Sequence, residues 1–324
     1  MNLKNAYLFI AGLILISSCK KDDDSPGEVV PPRLLSEVVV EDDAEIVEFL
    51  KTHFYNKDEF DAAAEGFDFK IKFDTIAGAN SDKPSIYDSP FLITETFSVK
   101  SSDFGRDDGE VMDVKLYTLV VRQGIEEGKP TIGDDAIIRY EGSLLDGTLF
   151  DASSNQPVIF NLSGVVRGFG NGVTNFQTGM GPMENGDGTI SYDGYGIGAI
   201  FIPAALGYFD SSPNSLIPTY SPLIFKIDAF SYVENADSDG DGIPSIQEDL
   251  NNDGNLNNDN TDEAAEALSR TYIPNYNDPD DDNDGILTID EIKIDGEIKK
   301  DANGLIIFPD TDGDGTPDHL DNDL

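Results

Sequence analysis

Apolar positions recur along this chain in blocks whose period changes from one block to the next. Ile46, Val47, Leu50 and Phe54 return at helical intervals behind Asp42 and Glu45, which are spaced like a capping box. The pattern predicts an amphipathic helix from Asp42 to about His53, with His53 a helix-end residue. Phe67, Phe69, Ile71 and Phe73 then alternate with Asp68, Lys70 and Lys72, the period of a strand. Further strands are expected over residues 91–99 and 111–121. Residues 41–112 read as a small α/β region without a catalytic constellation.

The middle of the chain is denser in signals. IIRYEGSLLDGTLFDAS (137–153) predicts a strand with Ile138 and Tyr140 on one face, a Leu-Asp-Gly turn, and a second strand ending in Phe150 and Asp151. PVIFNL (157–162) follows, then VVRGFGNGV (165–173), whose glycines and valines suggest a loop entering a short helix. AIFIPAALGYF (199–209) places Tyr208 after a strand, and IPTYSPLIFKIDAF (217–230) closes the unit with a strand through Phe225. A carboxylate at 151, directly behind an aromatic residue and between strand-like runs, needs a reason beyond solubility.

The ordered series Y-x-G, D-G-x-x-F-D-x-S, P-x-x-F-x-L, V-V-R-G-F, I-P and I-P-x-x-S-P-L-I-F resembles the FKBP-type peptidyl-prolyl cis-trans isomerases over about residues 113–232, which sets an expected domain at 113–234. The resemblance implies an α+β fold, a half-open antiparallel β-sheet wrapped on one short helix, with an apolar cleft between them. Tyr140, Phe150, Asp151, Phe160, Val165, Val166, Phe169, Tyr208 and Phe225 would line that cleft, and catalysis would need no cofactor. Asp151 would orient Tyr140 or another donor, and Tyr208 would offer its hydroxyl to a substrate carbonyl. This chain departs from the family at Phe169, where tryptophan is usual, and at Phe209, where glycine is usual. It also carries GPMENGDGTISYDGYGIG (181–198), which reads as an insertion.

Composition narrows the setting. Of 324 residues 63 are acidic and 21 basic, a formal net charge of −42, so nucleic acid and anionic membrane surfaces would repel the chain. With 39% hydrophobic residues it can still bury a core, so the acidity must be concentrated. Residues 237–324 hold 26 acidic and 4 basic side chains, about half of the net charge in about a quarter of the length.

At the other end, Lys4 precedes an apolar run over residues 6–16, too short to cross a bilayer core of about 30 Å but suited to a secretory signal. Ile16-Ser17-Ser18-Cys19 resembles the lipobox of bacterial lipoproteins. That resemblance implies a signal peptide over 1–18, lipid on Cys19, and a membrane attachment through that lipid. KKDDD (20–24) looks like an export tag to the outer face of the outer membrane, and a proline-rich tether would run over 19–40. Cys19 is the one cysteine, so disulfides cannot stabilise the fold.

In the acidic segment 235–324, DSDGDGIPSIQE (237–248) and DDDNDGILTIDE (280–291) fit D-x-D-x-D-G-x5-E, and DTDGDGTPDHLD (310–321) fits with aspartate last. Calcium takes six to eight oxygens, and this spacing supplies acids at positions 1, 3, 5 and 12, a backbone carbonyl at 7, and a glycine at 6 for the sharp turn. The expected ligands are Asp237, Asp239, Asp241, Ile243 and Glu248; Asp280, Asp282, Asp284, Ile286 and Glu291; and Asp310, Asp312, Asp314, Thr316 and Asp321. DLNNDGNLNNDN (249–260) is a fourth, weaker candidate ending on an amide. Pro279 and Pro309 stand directly before two loops, which excludes an entering helix. The segment resembles thrombospondin type-3 calcium repeats, in which ions replace a hydrophobic core; a stalk or docking role is the alternative. Together the expectations are a lipid-anchored outer-membrane envelope protein that isomerises proline-containing client polypeptides, with a non-catalytic peptide-binding or adhesion module as the rival.

Overall fold

The computed structural model describes residues 32–62, 69–153, 156–269 and 271–322. The signal segment, Cys19, most of the tether and Phe67 fall outside them.

Helix α1 spans Leu35–Thr52 and so begins well before Asp42. The apolar stripe explains the earlier start. Leu35, Val38 and Val39 continue the series Ile46, Phe49 and Leu50 upstream, and all six are buried. Asp42 therefore lies in mid-helix, the expected capping box does not form, and residues 35–40 belong to this helix instead of the tether. His53 does end the helix, with its ring stacked on Phe49 at 3.9 Å.

Asp42 is 2% exposed, and its Oδ2 accepts the backbone N–H of Ala204 at 2.7 Å. Burial, with help from Glu45 and Glu41, pushes its carboxyl up to about 7. The folded chain thus holds a proton that the unfolded chain, with an ordinary aspartate, releases near pH 4. Stability is full below that pH, falls as pH rises from about 4 to about 7, and levels off above. Asp42→Asn keeps an acceptor for Ala204 and cannot ionise. It is expected to remove this slope and to raise stability at pH 8 by at most about 4 kcal/mol. Asp42→Ala should instead cost about 1–3 kcal/mol, because the buried N–H loses its partner. Urea midpoints across this pH range check both.

After α1 come β1 (His53–Tyr55), α2 (Lys57–Ala62) and β2 (Phe73–Thr75), with β1 and β2 paired antiparallel. Of the strand expected over 67–73, the described residues 69–72 are irregular and Phe73 alone is in a strand. Phe69 has φ 52°, a left-handed conformation that strand residues do not adopt.

The main sheet is built from β3 (Leu92–Lys100), β4 (Val111–Arg122), β5 (Asp135–Leu144), β6 (Leu149–Ala152), β7 (Val158–Asn161), β10 (Gly196–Ile202) and β11 (Leu223–Val233). Its order is β3-β4-β10-β11-β5-β6, with β7 also paired to β5, and every pairing is antiparallel. Because β3 pairs with β4 along its whole length, the N-terminal region contributes a strand to the main sheet, while β1 and β2 form a two-stranded sheet of their own.

Helix α3 (Arg167–Val173) packs on one face of this sheet. All seven residues of β10, GIGAIFI, are buried. Ile200 and Ile202 join the core on the α3 side, and Ile197, Ala199 and Phe201 join a second core with Ile46, Phe49 and Leu50 of α1. A strand covered on both faces reads as a continuous apolar run.

The excursion at 181–198 is a hairpin, β8 (Met180–Glu184) and β9 (Ile190–Asp193), and its last three residues belong to β10.

The acidic segment consists of tight turns with α4 (Glu263–Ser269), α5 (Thr288–Glu291), β12 (Lys293–Ile294) and β13 (Glu297–Ile298). It does not dispense with apolar packing. Leu256 and Tyr276 enter the main core, and Ile243, Ile292 and Ile306 form a small core of their own. The described residues from Arg33 onward make one compact unit. Among them no helix is long and apolar enough to cross a membrane.

Candidate functional site

Strand register brings three site residues into one row. Gly142 of β5 lies opposite Phe225 of β11 on one side and opposite Asp151 of β6 on the other. The β5–β6 register then shifts, pairing Ser143 with Leu149, so Phe150 is the extra residue of a bulge. Neighbours in a regular strand point to opposite faces; the bulge lets Phe150 and Asp151 serve the same cleft. Gly142 makes room for them. A Cβ there would sit 2.5 Å from the Phe150 ring and 2.9 Å from Phe225, which gives the glycine of Y-x-G a steric cause.

A cavity of about 290 Å³ opens between sheet and α3, lined by Tyr140, Phe150, Asp151, Phe160, Val165, Val166, Phe169, Tyr208 and Phe225. The structure thus gathers all nine residues singled out in the sequence. Gly164, Asn214 and Ile217 complete the lining. Ile217 was legible as the start of I-P-x-x-S-P; Asn214 carried no signal.

Phe169 lies at the centre of the rings. Its centroid is 5.0 Å from Phe225, 5.4 Å from Phe160 and 6.2 Å from Tyr140, all edge-on. Edge-to-face contacts of this kind hold rings in fixed positions without closing the space between them. The Tyr140 hydroxyl donates to Asp151 Oδ2 at 2.6 Å, and Asp151 Oδ1 accepts the N–H of Ala152 at 2.8 Å. Burial, and then the Asp151 carboxylate, raise the Tyr140 phenol well above its ordinary value, so it stays a donor. Burial likewise raises Tyr208, with a smaller contribution from Asp151.

Phe209 takes the left-handed conformation, φ 47°, where the family resemblance leads one to expect glycine. Such a backbone costs a bulky residue of order 1–3 kcal/mol. Its ring is buried in compensation, stacked on Phe104 at 4.0 Å with the Arg106 guanidinium 4.6 Å away over the ring. Arg106 also bridges to Asp210 at 2.8 Å. The N-terminal region therefore fixes the loop that presents Tyr208.

The acidic loops form a second constellation. Asp237, Asp239 and Asp241 converge, as do Asp280, Asp282 and Asp284, and Asp310, Asp312 and Asp314, each trio with carboxylate oxygens within 4.8 Å. In the first loop Asp237 accepts from the N–H groups of Gly240 and Gly242, and Asp310 repeats this with Gly313 and Gly315. Gly242, Gly285 and Gly315, at position 6, have φ of 100°, 95° and 104°, which a side chain would strain.

Buried oxygens of Asp239, Asp241, Glu248, Asp280, Asp282 and Glu291 have no hydrogen-bond partner. Burial and neighbouring carboxylates push Glu248 up to about 10 and Glu291 to about 7. Oxygen donors alone, buried and unpartnered, fit a hard cation such as calcium. The position-7 residues Ile243, Ile286 and Thr316 each have their N–H held by the preceding position-5 carboxylate. Asp321, the last expected ligand, lies after the turn Asp318–Leu320.

The candidate at 249–260 closes differently from expectation. Asp259, 5% exposed with an unpartnered Oδ2, is the buried acid, and it receives the Asn251 amide at 2.9 Å on its other oxygen. Asn260 turns instead to Glu266. This loop also grips the helix beneath the cleft. Arg167 donates to the Asp253 carbonyl, Asn171 to the Gly254 carbonyl, each at 3.0 Å, and Asn257 donates to the Ser163 carbonyl at 2.8 Å.

Residues 126–229 match the family described as FKBP-type peptidyl-prolyl cis-trans isomerase, and residues 238–306 match a second, described as BamM C-terminal, which overlaps two of the acidic loops. The chain is similar to the peptidyl-prolyl cis-trans isomerase Mip of Coxiella burnetii, 29% identical over 34% of this chain and 42% of that protein. It is also similar to the macrophage infectivity potentiator of Trypanosoma cruzi, 32% identical over 36% and 55%. A probable FKBP-type isomerase, FkpA of Neisseria meningitidis serogroup B, is 33% identical over 35% and 36%. The chain thus spans about half or less of the length of these relatives. Register, bulge, ring cluster and family match all fall in the same stretch, and it is residues 126–229, within a longer chain, that carry the likeness to the FKBP-type peptidyl-prolyl cis-trans isomerase family.

Proposed function

We propose that the chain catalyses rotation about Xaa-Pro bonds in exported polypeptides while tethered in the cell envelope by lipid on Cys19. The observation that carries this reading is the ring-lined cavity of about 290 Å³ with Asp151 and the Tyr140 hydroxyl joined at its rim. Amide resonance sets a barrier of roughly 18–20 kcal/mol to this rotation, and no bond has to break. Water favours the planar, polar amide over the twisted one. Seating the prolyl ring among Phe150, Phe160, Phe169 and Phe225 strips that water and so favours the transition state over the ground state. Tyr208, with no hydrogen bond to its hydroxyl among the described residues, is available to a substrate carbonyl. Asp151 holds Tyr140 in place as a positioning residue.

The acidic segment would bind calcium through the three loops, and the unpartnered buried oxygens of the first two support the reading. Millimolar extracellular calcium suits such sites, and an outer-membrane location supplies it.

A protease-coupled assay on a Xaa-Pro peptide tests the activity. It requires the full chain, because Leu35, Leu256 and Tyr276 belong to the same core as the cleft residues. A rate clearly above buffer is expected; a rate equal to buffer, with peptide still binding, would leave the peptide-binding module as the function.

A further inference from the structure

The first acidic loop does not close on its own residues. Its buried end, Asp241 and Glu248, converges with Asp281, which comes from the second loop, and oxygens of the three lie within 4.8 Å of one another. Asp281 occupies position 2 of the second loop, a place the calcium pattern leaves unspecified, so spacing gave it no role. The side chain turns away from its own loop. It is 1% exposed, beside Asp241 at 1% and Glu248 at 3%. Neither oxygen of Asp281 has a hydrogen-bond partner, and neither has either oxygen of Glu248 or Oδ2 of Asp241. No ion pair to any of the three is present among the described residues.

We infer that Asp281 is a ligand of the cation held by the first loop, so that one divalent ion of the calcium class ties the two loops together. The inference rests on the calcium reading above and adds a ligand and a coupling to it. Five buried carboxylate oxygens without donors, drawn from two loops, can carry their charge together only where a cation compensates them. The second loop aims the residue. The N–H of Asp281 donates to Thr288 Oγ1 at 3.1 Å, and the N–H of Thr288 donates to the Pro279 carbonyl at 3.0 Å. Those contacts set the backbone at 281 while Asp280 and Asp282, on either side, converge on their own loop's site. Ordering the second loop therefore places the last ligand of the first, and filling the first holds the second closed. Such reciprocity makes binding at the two loops positively cooperative. The third trio, Asp310, Asp312 and Asp314, is exposed at all three positions and gains no such outside ligand among the described residues.

Calcium titration of the full chain by calorimetry tests this, comparing wild type with Asp281→Asn. The substitution keeps size and leaves the second loop's own acids in place. Expected is a loss of affinity for one ion of about 5- to 150-fold, the usual range of a coupling between sites, with cooperativity abolished. A second comparison guards against a general folding defect. In a chain whose first loop is already disabled by Asp237→Asn and Asp239→Asn, Asp281→Asn should change nothing further, whereas an equal loss in both backgrounds would overturn the assignment. Calcium uptake by Asp281→Asn identical to wild type would overturn it alone; no uptake by wild type would overturn it together with the calcium reading.

Discussion

Chelating calcium should open residues 237–322 to protease and lower the melting temperature of the chain by tens of degrees. Carboxylates held within 4.8 Å of one another in the three loops repel by about 4 kcal/mol per ionised pair at the effective dielectric of a protein surface. Burial adds to this at Glu248 and Asp241, which are 3% and 1% exposed. With the ions bound, each site at a hundredfold excess over its dissociation constant stabilises the folded form by about 2.7 kcal/mol, so three contribute about 8 kcal/mol. At about 2–4 °C per kcal/mol for a chain of this size, the shift on adding chelator is about 15–30 °C.

The effect should reach the cleft. Asp253 and Gly254, inside the candidate loop 249–260, receive Arg167 and Asn171 of the helix that carries Phe169. Isomerase rate is expected to fall in chelator and to return with calcium, while magnesium, which demands a smaller octahedral site, restores neither. Differential scanning calorimetry decides the matter: superimposable melts with chelator and with millimolar calcium would refute calcium as the ordering ion.

The second large effect is at the rim of the cleft. Asp151→Ala removes the acceptor of the Tyr140 hydroxyl. A hydrogen bond to a charged group is worth about 1.5–3 kcal/mol, and the exposure of Asp151 favours the low end, so kcat/KM should drop about tenfold. Adding Tyr208→Phe should bring the rate close to that of buffer. Asp151→Asn, which keeps an acceptor, should recover most of the loss. Folding should be little changed in all three, since both side chains lie at the mouth of the cavity, and circular dichroism checks this. Wild-type rates in Asp151→Ala plus Tyr208→Phe would dispose of the catalytic assignment.

Much of this protein could be read without coordinates because local rules governed it. The strand–turn–strand order and the short helix after it, through 137–173, follow from periodicity and glycine placement, and the nine cleft residues follow from family resemblance on ordered motifs. The calcium spacing is local too, since one twelve-residue loop carries its own turn glycine and its own acids. Other features depended on partners far away in sequence. The capping box at Asp42 was a plausible local pattern, but Ala204 offered a buried N–H, and the helix ran past the cap to bury Leu35, Val38 and Val39.

The sequence by itself determined the elements of the central domain, the acidic loops and the residue types each needs, because spacing along the chain is enough to place groups a few residues apart. Tertiary structure alone decided that Phe150 and Asp151 share a cleft through a bulge, that β3 completes the sheet, that Phe104 and Arg106 seat Phe209, and that Asp281 faces the wrong loop for its position. Each of these depends on which distant segment fills the space next to a residue, and periodicity has no term for that.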